Sequence, residues 1–175
     1  LDQSLRQSLQ EELVEMQRML GITFLFVTHD QEEAMGLATR MGIMDKGCLQ
    51  QVGTPTELYE RPENNFVTEF LGEVNRLTGK VEQRNGNQMT VSLGSAGNIQ
   101  CVSKVSILEN HHIICYVRPE KLFFDTDQLQ TEPVNTLQGT LRGVHFFGSH
   151  SRYQLELFGG QMLTLSIQHR KTYRH

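Results

Sequence analysis

Residues Gly21 to Ala34 read GITFLFVTHDQEEA, and the reading of this stretch decides how the fold is understood. Ile22 to Val27 is a continuous apolar, partly β-branched run. Such a run suits an interior parallel strand covered on both faces, where no polar alternation is needed. Asp30, with Glu33 three residues on, forms a capping-box-like start for a helix over Gln31 to Thr39. A strand passing directly into a helix is the geometry of an α/β layer. His29 then falls at the carboxyl end of the strand, where ligands sit in open α/β sheets. The adjoining helix start offers unpaired N–H groups that favour anions. On position alone, a His packed at a strand end and bonded to its neighbours is the simpler reading.

Working toward the N-terminus, Leu5, Leu9, Leu13, Met16 and Leu20 recur at helical spacing, with Asp2 placed to cap the helix and Gly21 to end it. Toward the C-terminus, Met41 to Met44 and Leu49 to Val52 flank Asp45-Lys46-Gly47 as a hairpin. Thr54-Pro55-Thr56-Glu57 supplies an N-cap, a Pro at the first helical position and a Glu that reaches back. A further short helix is expected from near Pro62 to Gly72. Beyond it the period changes. Lys80 to Gln83 and Met89 to Leu93 flank Asn85-Gly86, whose tolerance of positive φ signals a hairpin. Short strands follow at Ile99 to Val102, Ile113 to Val117 and Gln138 to Phe147. Tyr153 to Phe158 and Met162 to Ile167 meet across Gly159-Gly160. Short strands with glycine turns predict a small antiparallel barrel or sandwich.

Charge divides at the same place. Residues 1–72 hold five basic and twelve acidic side chains, and residues 73–175 hold eleven and eight, giving −7, +3 and a net −4. The boundary is expected between Gly72 and Arg76, with residues 1–74 forming an α/β part and residues 75–175 a β module. At 175 residues, 38% hydrophobic and 21% charged, the chain has globular composition rather than that of a disordered one. No apolar run approaches the ~18 residues of a membrane-spanning helix. Cys48, Cys101 and Cys115 lie far apart in sequence and form no C-x-x-C pair, which argues against a disulfide framework or a zinc site. His111, His112, His145 and His150 lack ligand spacing, so no metal site is expected. The module's small positive charge, beside an acidic N-terminal part, argues against nucleic-acid binding, although Tyr116, Phe146, Phe147 and Tyr153 could stack on bases.

The wider pattern changes the reading of His29. Leu1-Asp2 resembles the end of the D-loop of ABC importer ATPase domains, and Thr28-His29-Asp30-Gln31-Glu32-Glu33-Ala34 resembles their switch region. Met44-Asp45-Lys46-Gly47, Gln51-Val52-Gly53-Thr54-Pro55, Leu58-Tyr59 and Pro62-Glu63-Asn64-Asn65-Phe66-Val67 are similar to the same domain's tail. Phe70-Leu71-Gly72 is similar to the family's exit into a C-terminal module. Val117-Arg118-Pro119-Glu120 and Gly148-Ser149-His150-Ser151-Arg152-Tyr153 resemble segments of that module, the regulatory TOBE domain, an oligonucleotide/oligosaccharide-fold relative. Within the family, Gln31 to Leu77 looks most like the polyamine (putrescine/spermidine) branch.

The resemblance implies an α/β fold, the C-terminal part of a P-loop ABC ATPase domain, followed by an all-β OB-like barrel, incomplete at its C-terminus. It assigns His29 to the terminal phosphate and attacking water of ATP, and Leu1 and Asp2 to the interface of an ATPase homodimer. Arg118, Pro119, Glu120, Gly148, Ser149 and His150 fall to the regulatory module. For Arg118 and Glu120, an ordinary surface pair at a strand end is the simpler reading. ATP and Mg²⁺, transmembrane permease subunits and, indirectly, a substrate-binding protein are the implied cofactors and partners. The implied location is peripheral, at the cytoplasmic face of the inner membrane. The phosphate loop G-x-x-x-x-G-K-[ST], the signature L-S-G-G-Q and the acidic pair that holds Mg²⁺ do not occur in the chain. The chain by itself is therefore expected to be inactive as an ATPase. The alternative is a non-catalytic, ligand-sensing TOBE module with an ATPase-domain remnant.

Overall fold

The computed structural model describes residues 3–103, 105–124 and 135–169, and the chain divides into two compact units, Leu1–Gly72 and Glu73–His175. In the first unit, helix α1 (Gln3–Leu20) ends where Gly21 turns to φ 62° and its N–H returns to the Gln17 carbonyl at 3.0 Å. Helix α2 (Gln31–Leu37) begins at Asp30, whose carboxylate accepts from the Glu33 N–H at 3.1 Å. A hairpin of β1 (Met41–Asp45) and β2 (Cys48–Gly53) follows. Its two turn residues, Lys46 and Gly47, have φ 48° and 79°, the pattern of a type I′ turn matched to the twist of the strands.

Helix α3 (Pro55–Glu60) carries a complete capping box: Thr54 Oγ1 accepts from the Glu57 N–H, and Glu57 Oε2 accepts from the Thr54 N–H at 2.8 Å. Helix α4 (Asn65–Phe70) is capped by Asn64. These elements close over a small core of Met41, Ile43, Leu58, Val67 and Leu71.

The expected parallel strand does not form. Ile22 to Val27 lies between α1 and α2 without a strand partner, and Leu25 and Val27 are 93% and 89% exposed. Every strand pair among the described residues is antiparallel. An interior strand is defined by neighbours that take up its N–H and C=O groups on both sides. The strands of residues 41–53 pair only with one another, and residues 22–27 join neither of their outer edges. The α/β layer predicted for residues 1–74 is thus absent among the described residues.

Among its described residues the second unit is all β apart from two short 3-10 turns. Its first sheet has the order β5-β4-β3-β6, built from β3 (Asn75–Asn85), β4 (Gln88–Ser92), β5 (Asn98–Val102) and β6 (His112–Val117). The second has the order β7-β8-β9, from β7 (Gly139–Phe146), β8 (His150–Leu157) and β9 (Met162–Gln168). The β3–β4 turn sits one residue later than expected: Asn85 pairs with Gln88, and Gly86, at φ 61°, is the first central residue. Only that residue needs positive φ, which is the type II′ arrangement.

Strand β3 pairs with β6 through residues 75–80 and with β4 through residues 80–85. At the changeover a Cβ on Gly79 would lie 2.5 Å from Val91 Cγ1 and 2.7 Å from the Ser92 carbonyl oxygen, so only glycine fits. Leu77, Val81, Met89, Val91, Leu93, Ala96 and Ile99 of the first sheet and its turns share one core with Leu157, Leu163 and Leu165 of the second.

Side-chain amides do the joining where backbone ladders stop. Asn75, at the head of β3 and buried, accepts from the Thr164 N–H at 2.7 Å and donates to the Thr164 carbonyl at 2.8 Å. Gln161 does the reverse, binding both backbone groups of Thr78 at 2.7 and 2.9 Å. Asn135 holds the N–H and C=O of Gln100 on β5 at 2.6 and 2.9 Å. Each amide stands in for one residue of a neighbouring strand.

Candidate functional site

His29 is fixed by its neighbours' side chains rather than by its own. Thr28 Oγ1 donates to Glu33 Oε2 at 2.8 Å and accepts from the Asp30 N–H at 3.0 Å, while Asp30 Oδ1 accepts from the Glu33 N–H. Glu33 therefore reaches back to Thr28, not to the N-cap N–H as a standard capping box would have it. The resulting ring ties the backbone on both sides of His29 to the first turn of α2. The imidazole itself is exposed, and no described residue engages it. In this structure the side chain is therefore not packed at a strand end. An imidazole so held can donate one N–H and accept at the other nitrogen, which suits a phosphate oxygen and a water. Leu1 and Asp2 lie outside the described residues.

The other expected group assembles in the second unit. Arg118 precedes the 3-10 turn Pro119–Lys121, and it is 8% exposed. Its Nη1 donates to the Glu73 carbonyl at 3.4 Å. The surface-pair reading of Arg118 is thus incorrect: the residue is buried against the start of the unit, whereas Glu120 is exposed. The Glu73 carboxylate in turn meets Arg152 Nη2 at 2.8 Å, and the Arg152 guanidinium lies over the Phe147 ring at 5.5 Å. Phe147 stacks on His150 with centroids 5.1 Å apart and planes 8° apart.

Gly148, at φ 77°, makes the turn that allows this stack, and Ser149 Oγ sits 3.2 Å from His150 Nδ1. Arg118-Pro119 and Gly148-Ser149-His150 are therefore linked through Glu73, Arg152 and Phe147. Sequence reading singled out both ends of this chain of contacts and missed Glu73, which carries no motif signal and acts through one carbonyl and one carboxylate.

Among the described residues no group of three or more His, Cys, Asp or Glu could hold a metal ion. Asp30 and Glu33 are engaged in the ring just described. The described residues around His29 thus do not fit a Mg²⁺ site. No helix among the described residues is long and apolar enough to cross a membrane.

Residues 115–174 match the TOBE domain. Along nearly its whole length the chain is similar to import ATP-binding proteins. More particularly, it is 36% identical over 169 residues to the spermidine/putrescine import ATP-binding protein PotA of Trichodesmium erythraeum, covering 93% of this chain and 44% of that one. It is also 36% identical over 166 residues to PotA 1 of Pseudomonas aeruginosa, covering 94% and 44%. The chain thus spans less than half the length of these curated relatives. Among solved structures, the cytoplasmic molybdate-binding protein ModG aligns with a TM-score of 0.46 at 18% identity, covering 54% of this chain and 75% of that one.

Proposed function

We propose that this chain forms part of the ATP-hydrolysing subunit of an ABC importer for polyamines. The subunit would work as a homodimer beneath transmembrane permease subunits, on the cytoplasmic face of the membrane, with a substrate-binding protein engaged through the permease. The observation that carries this reading is similarity along nearly the whole chain to spermidine/putrescine import ATP-binding proteins. The presentation of His29 supports its role at the reacting phosphate: an exposed imidazole on a backbone braced by Thr28, Asp30 and Glu33. Held there, it would donate to a terminal phosphate oxygen and orient the attacking water. In phosphoryl transfer such positioning and charge stabilisation supply most of the catalysis. The phosphate loop and the Mg²⁺ ligands would come from sequence other than these residues. The contacts of Arg152, Phe147 and His150 within the TOBE match, anchored by Glu73 ahead of it, would hold the regulatory surface together.

A chimera tests this. Residues 1–175 replace the matching stretch of the Pseudomonas aeruginosa relative, and the product is assembled with that importer's permease and assayed for polyamine-dependent ATP hydrolysis. Hydrolysis that falls on His29→Ala, with ATP affinity kept, is the expected result. Undiminished turnover in that variant overturns the role of His29. A chimera that assembles and hydrolyses nothing favours the second reading, a non-catalytic sensing module, for which the separate core of the TOBE-bearing unit speaks.

A further inference from the structure

Cys101 and Cys115 lie on β5 and β6, the two outer strands of the four-stranded sheet. In a flat sheet three strand spacings would part those strands by ~14 Å. Their sulfur atoms are 4.0 Å apart, because the sheet curls and both side chains point to its concave, core-facing side. Both thiols are half-buried, within reach of small solutes, and the remaining cysteine, Cys48, is exposed on the β1–β2 hairpin of the other unit.

We propose that Cys101 and Cys115 are a reversible dithiol–disulfide site, oxidised by a peroxide and reduced by a low-molecular-weight thiol, whose bond ties β5 to β6 across the mouth of the curled sheet. The approach of the sulfurs is the geometric condition, since a rotation about each Cα–Cβ bond suffices to bring neighbouring sulfurs into bonding distance when the Cβ atoms face one another. Reactivity is divided between them. The Cys115 thiol donates to Cys101 Sγ and holds the Cys101 thiol down at about 7, against the opposing effect of burial. The same contact, with burial, pushes the Cys115 thiol up. Cys101 is thus the attacking thiolate and Cys115 the resolving thiol.

The Cys101 thiolate attacks one oxygen of hydrogen peroxide, forming a sulfenic acid and releasing hydroxide, which is protonated to water. Cys115 sulfur then attacks the sulfenic sulfur, its proton leaving with the hydroxyl as a second water. Two thiols have lost two electrons, and one peroxide has become two waters. Two equivalents of glutathione reverse the change. A pair of this kind in a reducing compartment is a transient, oxidant-responsive bond rather than a fixed staple.

The test uses the whole chain, reduced and then treated with one equivalent of hydrogen peroxide. Expected are the loss of two of the three thiols, a mass lower by two hydrogens, and a non-reduced peptide joining Cys101 to Cys115. Cys48 remains open to alkylation, and glutathione restores all three thiols. The linkage should form on the order of tenfold faster in the native chain than in urea, because the fold holds the sulfurs together. Cys115→Ser should stop at the sulfenic acid of Cys101, and the wild-type peptide map decides the matter even if that variant folds poorly. A linkage through Cys48, equal oxidation of all three thiols, or equal rates in native buffer and urea overturns the proposal.

Discussion

Replacing Asn75 by Ala removes both bonds that its amide makes to Thr164, and with them half of the polar bridge between β3 and β9. The side chain is 7% exposed, and its two bonds are short, at 2.7 and 2.8 Å. The truncation leaves the Thr164 N–H and C=O facing an apolar methyl in a partly buried place. Unsatisfied groups of this kind cost about 1–3 kcal/mol each, water relieving part of it, so a combined loss of about 2–4 kcal/mol is expected. For a unit of this size, about 4–8 °C of midpoint temperature accompanies each kcal/mol, so the transition should fall by at least about 8 °C. The chain has no Trp, so urea unfolding is best followed by circular dichroism. Gln161→Ala, which removes the reciprocal clamp on Thr78, should cost less because its site is more exposed. The double variant should lose less than the sum, since the first loss already lets the strands part. A shift of under about 0.5 kcal/mol for Asn75→Ala would refute the idea that this amide substitutes for a strand.

Other outcomes follow from the same geometry. In the chimeric subunit, His29→Ala should lower kcat on the order of 10²-fold while leaving nucleotide affinity near the parent value, as measured by steady-state hydrolysis and calorimetry. The backbone and side-chain bonds from Thr54 hold the Glu57 carboxyl below its ordinary 4.5. That contribution to α3 is complete above pH 4.5 and is lost as pH falls below it, so Glu57→Gln should flatten the acid limb of an unfolding titration. Chymotrypsin should cut first at Phe24, Leu25 or Phe26, which lie exposed without a strand partner, and only later within residues 75–103; equal rates at both places would show that residues 22–27 are protected in solution. Isothermal titration of the 175-residue chain with Mg-ATP should give no micromolar binding, because His29 alone offers one hydrogen bond.

What could be read from sequence was local. The caps at Asp30 and Thr54, the end of α1 at Gly21 and the turn at Lys46-Gly47 depend on residues within one turn of chain, and they formed. Ile22 to Val27 shows the limit, because a run of apolar residues states what a strand needs without supplying the neighbours that make it one. Arg118 failed for a related reason: it is buried, and its bond goes to the carbonyl of Glu73, 45 residues earlier. The motif segments around Arg118 and His150 were legible, whereas the contacts that unite them were not. The nearness of Cys101 and Cys115 was hidden too, since it arises from sheet curvature, and no local pattern records that.

The clamp that Asn135 places on Gln100 has a consequence for how this protein shares a crowded solution. Strand β5 is the outermost strand on its side of the sheet, and residues 98, 100 and 102 turn their backbone groups away from β4. A foreign strand seeking to extend the sheet would need that row unbroken, as every growing fibril does. Asn135 occupies the middle rung. A strand adding at this edge would have to displace that amide to form its central pair of bonds.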